Sequence, residues 1–297
     1  MRTAFIKQLI KEAKLNDRIF LVVGDLGFHV VEEYANTYPN RFLNVGICEQ
    51  NMMGIAAGLS MEGYSVYVYS IGNFPTLRCM EQIRYDIVYH NLNVKIVAVG
   101  GGFAYGSLGA SHHATEDIGM LRTLPNMTIC VPGDPMETMA LTTWSARYVG
   151  PVYMRIGKSG EPILHKKNIE SVNKGDLLLL LRGHKTAVLS TGSILECAYN
   201  AIIERQLGYG LYSCPFVKPI NRMQLREITS EYEEIITIEE HQRSAGFGSV
   251  ILEQLNDMIE DREIGNLPLV RRIAIPDLFY HTSGSQDYLV RLAGLQL

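Results

Sequence analysis

Short apolar runs alternate with longer stretches of helical periodicity along the whole chain, and this alternation constrains the fold more than any other feature. The runs 19–23, 42–45, 64–69, 94–99, 127–131 and 152–155 read as strands, and 3–14, 30–35, 49–61, 76–90 and 135–148 read as helices. Because parallel neighbours need a crossover between them, usually a helix, the pattern predicts a mostly parallel sheet covered on both faces. Over 156–175, GKSGEPILHKKNIESVNKGD, hydrophobicity falls and turn formers and charges gather, as in a connection between domains. A second series follows, with strands at 186–190, 210–215, 235–239 and 270–275 and helices at 194–206, 222–230 and 246–260. The predicted fold class is α/β with two domains, each a mostly parallel sheet flanked by helices: 1–157, a linker over 158–175, and 176–297. Such sheets bind ligands at the carboxyl ends of their strands, so the loops there are where chemistry is sought.

Composition removes several classes of function. With 47% hydrophobic and 20% charged residues, the chain is that of a folded globular protein. Twenty-seven Lys and Arg against 31 Asp and Glu leave a net charge of −4, which gives no basic footprint for nucleic acid or an anionic membrane. Arg2, Lys7, Lys11, Glu12 and Lys14 break up the apolar core that a secretory signal needs. The most apolar runs, 94–99 and 177–181, fall far short of the ~20 residues that cross a bilayer and read as buried strands. Five scattered cysteines without a CxxC pair suit reduced thiols. The expectation is a cytoplasmic chain that has no membrane segment and no metal ligands of its own.

Three segments could carry chemistry. In FLNVGICEQNMMGIAAGLSM (42–61) a strand turns into a helix apolar on nearly every side, with Glu49 in its first turn. The helix dipole favours an acidic residue there, while burial raises a carboxyl pKa and makes a candidate proton donor. Gly54 and Gly58, four apart, allow another backbone to approach, from this chain or from another. The loop GGGFAYGSLGASHHATED (100–117) matches neither dinucleotide nor P-loop fingerprints; His112 and His113 suit acid–base or phosphate-binding roles, or simple solvation. In IITIEEHQRSAGFG (235–248), Glu239, Glu240 and His241 could do acid–base work or hold a domain interface. Before the helix at 194, the loop Thr191, Gly192, Ser193 could cradle an anion, or Ser193 could cap that helix.

Taken in order, GDLG (24–27), VGICEQNMMGIAAGL (45–59), Phe74 with QIR (82–84), ASHHATEDIGMLRTLPNM (110–127), PGDPME (132–137), STGS (190–193) and IEEHQRSAGFG (238–248) resemble the C-terminal two-thirds of the transketolase family. The match covers the pyrimidine-binding and C-terminal domains and runs nearly the whole chain. It implies thiamine diphosphate chemistry. The glutamate matching Glu49, when protonated, hydrogen-bonds the aminopyrimidine nitrogen and so activates the thiazolium carbon. Phe74 matches the aromatic under the pyrimidine, Asp25 an acidic residue near the cofactor, and Ile47 joins the cofactor-binding set. His112 matches a histidine facing substrate, with His113 beside it, and Arg155 matches an arginine holding a sugar phosphate.

The resemblance also implies what lies on another chain. Family members carry the diphosphate and its Mg²⁺ or Ca²⁺ on an N-terminal domain with a GDG motif, which is not found here; Gly24-Asp25-Leu26 and Gly175-Asp176-Leu177 lack the third glycine. The implied partner is a separately encoded N-terminal subunit, in an assembly of two copies of each chain, acting on small sugar substrates. The stretch Gly100-Gly101 stands where sugar-phosphate transketolases have a second histidine, Leu108 where they have an aspartate, and His29 where they have a phosphate-contacting serine. These departures keep two alternatives open: an acyl transfer like that of deoxyxylulose-phosphate synthases or 2-oxoacid decarboxylases, and a non-catalytic relative that only binds a partner.

Overall fold

The computed structural model describes residues 1–297. In its first part α1 (Arg2–Leu15), β1 (Ile19–Val23), α2 (Glu32–Thr37), β2 (Phe42–Asn44), α3 (Glu49–Met61), β3 (Ser65–Ile71), α4 (Met80–Gln82), β4 (Val94–Val99), α5 (Asp117–Arg122), β5 (Thr128–Cys130), α6 (Pro135–Arg147) and β6 (Val152–Ile156) alternate as predicted. The second part holds β7 (Leu178–Leu181), β8 (Thr186–Thr191), α7 (Leu195–Glu204), β9 (Gly210–Ser213), β10 (Phe216–Lys218), α8 (Arg222–Glu231), β11 (Glu234–Gln242), α9 (Phe247–Glu260), β12 (Leu269–Ile275) and α10 (Gln286–Leu292).

The first sheet runs β10-β5-β6-β4-β3-β1-β2, parallel throughout except for antiparallel β10. Its central strands β3 and β4 are buried on both faces, which is why they read as unbroken apolar runs. Lys95 within β4 is also buried; its ammonium reaches the strand end and donates to the carbonyls of Tyr148 (2.8 Å) and Gly150 (2.9 Å). Helix α6 starts where the sequence demands: Asp134 accepts the Glu137 N–H (2.8 Å) and Pro135 occupies the first turn. The second sheet runs β12-β11-β8-β9-β7, parallel except for β7.

Several expectations are corrected. Strand β7 is a half-exposed edge, not a buried strand. The segment 76–90 is not one α-helix: after α4 the chain widens into a π-helical stretch, Ile83–Val88. Helix α3 is not buried all round, because Asn51, Gly54, Gly58 and Met61 face outward. The chain also leaves the second sheet after β9 and lends β10 to the first, where Phe216 pairs with Cys130. No helix is long and apolar enough to cross a membrane.

The connection 157–177 has no regular structure, yet it is tied down. Asp134 Oδ2 accepts the Leu164 N–H (2.9 Å), His165 bonds the buried Glu137 (2.7 Å), and Glu161 receives the amino terminus (2.6 Å). Asp134, Glu137 and His165 hold their ligand-type atoms within 4.8 Å of one another, but these bonds already engage them.

Candidate active site

Glu49, Phe74 and the histidine pair stand after β2, β3 and β4, at the carboxyl end of the first sheet. The turn after β2 is fixed by Asn44, whose Oδ1 accepts the N–H groups of Asp25 (2.9 Å) and Gly46 (3.0 Å). It delivers Glu49 into the first turn of α3 with its carboxyl 2% exposed. Oε2 of Glu49 accepts from Arg78 Nη1 at 2.7 Å. The Arg78 guanidinium also lies over the Phe74 ring, 5.0 Å from its centroid. The far side of the cluster is His112, edge-on to Phe74 at 5.2 Å, with Nδ1 3.0 Å from Ser111 Oγ. One row of contacts therefore joins Glu49, Arg78, Phe74 and His112.

His113 points the other way, into the loop. It is buried, edge-on to Phe103 at 5.1 Å, and its Nε2 has no protein partner. Burial holds its pKa below the ordinary histidine value, against a hydrogen bond to the Gly106 backbone and alongside repulsion from His112. The loop is closed at its base by a two-way bridge, Gly102 N–H to Ala114 C=O (2.8 Å) and the return bond (3.0 Å).

The remaining sequence candidates sit apart. Asp25, at φ +55°, is exposed and accepts from Asn44 Nδ2 (3.0 Å); Ile47 is exposed in the turn before α3. His29 lines a surface cleft with Ile6, Lys7 and Glu33, its N–H donating to Glu32 (2.8 Å), and contacts none of the Glu49 row. Arg155 has a side chain only 4% exposed, lies 3.0 Å from Asp117 Oδ2, and donates through Nη2 to the carbonyls of Ala114 and Glu240 (2.8 Å). Arg78 is the site residue that the motifs do not single out, although a cation four positions after Phe74, at a helical start, is a readable signal.

The third segment is structural. Glu239 accepts the N–H groups of Phe247 and Gly248 (2.7 Å) and so caps α9; burial lifts its pKa to about 7 in spite of those donors. His241 Nε2 accepts the Gly119 N–H (3.1 Å), joining the two domains. Ser193 does not cap α7, whose N-cap is Ile194; it accepts from Gln286 instead (3.3 Å).

Residues 1–161 match the family description "Transketolase, pyrimidine binding domain", and 175–297 match "Transketolase, C-terminal domain". The chain is 34% identical over 280 residues to an apulose-4-phosphate transketolase subunit of Phocaeicola vulgatus, covering 93% of this chain and 87% of that protein. It is 31% identical to a putative transketolase C-terminal section of Methanocaldococcus jannaschii, covering 99% and 92%. Against 1-deoxy-D-xylulose-5-phosphate synthase of Thermus thermophilus it is 32% identical over 98% of this chain, which spans 46% of that protein. A solved structure titled as a split gene transketolase, inactive beta4 tetramer, superposes with a TM-score of 0.85 at 31% identity, over 99% of this chain and 93% of that one.

Proposed function

Because the chain belongs to the transketolase family, we propose that it is the subunit carrying the pyrimidine-binding and C-terminal domains of a thiamine-diphosphate-dependent enzyme. That enzyme transfers a two-carbon ketol unit from a ketose-type donor to an aldehyde or keto-sugar acceptor. The observation that carries this reading is the row Glu49–Arg78–Phe74. A flat, N–H-bearing group, the Arg78 guanidinium, rests on the Phe74 ring and bonds the buried Glu49 carboxyl. An aminopyrimidine would use the same two surfaces, with the carboxyl then donating to a ring nitrogen in place of accepting from Arg78, so the residues fit the cofactor's ring. When bound, thiamine diphosphate supplies an electron sink for the carbanion left by carbon–carbon cleavage.

The chain's own residues do the rest. Glu49 holds a proton at its carboxyl toward a ring nitrogen, and Phe74 offers a flat apolar face. His112, steadied by Ser111 and Phe74, serves as the proton carrier at a substrate oxygen. His113, whose pKa burial holds below the ordinary histidine value, lines the same loop. Asp25 and Ile47 form the rim toward the cofactor, and His29 belongs to a neighbouring rim.

The likeness to a transketolase subunit and to a split gene transketolase supports a separately encoded N-terminal subunit that brings the GDG motif and Mg²⁺, in an assembly of two of each chain in the cytoplasm. The outward face of α3 suits that association: a side chain at Gly54 or Gly58 would meet nothing within 4 Å, and Ile47, Met61, Tyr85 and Tyr89 are exposed nearby. The division at 158–175 separates the pyrimidine-binding domain, 1–157, from the C-terminal domain, 176–297.

One observation favours a second reading, transfer of an acyl unit as in deoxyxylulose-phosphate synthases. A Cβ at Gly101 would lie 2.5 Å from Arg155 Nε, so the second histidine of sugar-phosphate transketolases cannot be housed there. Calorimetry with thiamine diphosphate and Mg²⁺ tests the main reading, on this chain alone and mixed with a GDG-containing subunit from the same source. Tight binding only in the mixture, followed by ketose cleavage without release of carbon dioxide, is the expected result. Pyruvate consumption with carbon dioxide release would select the second reading, and no binding in the mixture would remove both.

A further inference from the structure

We infer that Glu240, on the C-terminal domain, is a positioning residue that sets the histidine loop of the first domain through the Phe103 N–H. The inference rests on the functional reading of that loop given above.

Glu240 lies near the end of β11 and is 2% exposed. Its Oε1 accepts the N–H of Phe103, and Gln286 Nε2 donates to Oε2 (2.9 Å) and Oε1 (3.2 Å). Its backbone carbonyl accepts from Arg155, which also holds the Ala114 carbonyl at the base of the loop. The carboxylate occupies space that only glycine leaves free, since a Cβ at Gly102 would overlap Glu240 Cδ. Loop backbone and carboxylate are therefore interlocked by shape as well as by hydrogen bond.

The coupling reaches the histidines through Phe103. Its ring is buried, edge-on to His113 on one side and to Tyr280 on the other, at 5.1 and 5.3 Å. The segment that supplies Tyr280 and Gln286 presses on the loop again farther along. Gly284 N–H donates to Gly106 C=O (3.2 Å), and Leu289 fills the notch at Gly106, where a Cβ would overlap Leu289 Cδ1. Glu240 is the buried acidic centre of this clasp, and a buried carboxyl group persists only when its polar atoms are satisfied. Breaking one of its bonds should cost more in geometry at His113 than removal of an ordinary surface contact.

The test uses the full chain with ring-labelled histidine, in the wild type, Glu240→Ala, Glu240→Gln and Gln286→Ala. In Glu240→Ala the loop loosens and water reaches His113, so its pKa by NMR rises toward the ordinary histidine value and its ring shifts change. Glu240→Gln keeps an acceptor for Phe103 and should retain the wild-type titration. Gln286→Ala removes one donor to the carboxylate and should move His113 part of the way, which also serves if Glu240→Ala does not fold. In the complex with the N-terminal subunit, Glu240→Ala should lower kcat/KM about 10–100-fold while thiamine diphosphate affinity is unchanged, in the range of misplaced catalytic groups. An unmoved His113 in both Glu240→Ala and Gln286→Ala, or Glu240→Gln as disturbed as Glu240→Ala, overturns the inference. A shifted His113 combined with a wild-type complex that turns over no donor would overturn the functional reading and leave the coupling standing.

Discussion

Arg78 pairs with Glu49 at 2.7 Å while its guanidinium covers the Phe74 ring, so one side chain occupies both surfaces that the proposed cofactor ring would use. A carboxyl that donates to a ring nitrogen has to part from that guanidinium, and the ring has to take over the Phe74 face. Arg78 is 48% exposed, so the pair is screened by solvent and contributes at most ~1 kcal/mol. Arg78→Ala is therefore expected to tighten thiamine diphosphate binding to the two-subunit complex by up to about fivefold, as that free energy converts. Titration calorimetry of wild type and variant reads the effect; weaker binding in Arg78→Ala would mean that the arginine holds the cofactor instead of competing with it.

Removing the proton function of Glu49 leaves its shape in place. Glu49→Gln keeps the volume and an acceptor for Arg78, so thermal unfolding and far-ultraviolet circular dichroism should match the wild type within the ~1 kcal/mol of a half-exposed ion pair. Turnover in the complex should fall at least about 100-fold, the range of a lost general acid–base group. Full activity in this variant would dismiss Glu49 as the acid.

The legible parts of the fold are those whose local pattern and tertiary setting agree. Buried β3 and β4 have to be apolar on both faces, and α6 announces its start with Asp134 and Pro135. Strand β10 escapes the pattern because three residues carry no period, and its pairing with β5 is set by a partner some 86 positions away (Phe216 less Cys130). Helix α10 escapes it for a similar reason: QDYLVRL is short and mixed in character. In the site, Glu49 and Phe74 can be read from their motifs. The surroundings of Arg155 cannot be read that way, because its neighbours Asp117 and Glu240 come from distant segments and only the fold brings them to it.

His165 ties the connection between domains to Glu137. Burial alone would lower its pKa, but the Glu137 bond and the nearby Asp134 charge outweigh it and hold the folded value above the ordinary ~6.5. The folded state thus binds this proton more tightly than the unfolded chain. Its stabilisation is complete below ~6.5 and is lost as pH rises through the folded value. Urea unfolding of wild type and His165→Gln should differ most at about pH 5.5 and least at about pH 8.5. A difference that is flat or grows with pH would contradict the assignment; comparing the two chains cancels the other titrating groups, including Lys95, whose burial pushes its pKa down to about 7.

Gly54 separates the stability of this chain from its assembly. It lies mid-helix in α3, exposed, with negative φ and nothing within 4 Å of where a side chain would start. Taken alone, the chain should gain from Gly54→Ala, because glycine in a helix interior costs roughly 0.5–1 kcal/mol relative to alanine. If the glycines admit a close backbone from another chain, the larger Gly54→Leu should keep most of that gain in the isolated chain yet weaken association with the N-terminal subunit. Sedimentation of the mixture and thermal unfolding of the isolated chain read the two effects separately. Undiminished association in Gly54→Leu would place the subunit contact elsewhere, away from the face formed by Asn51, Gly54, Gly58 and Met61.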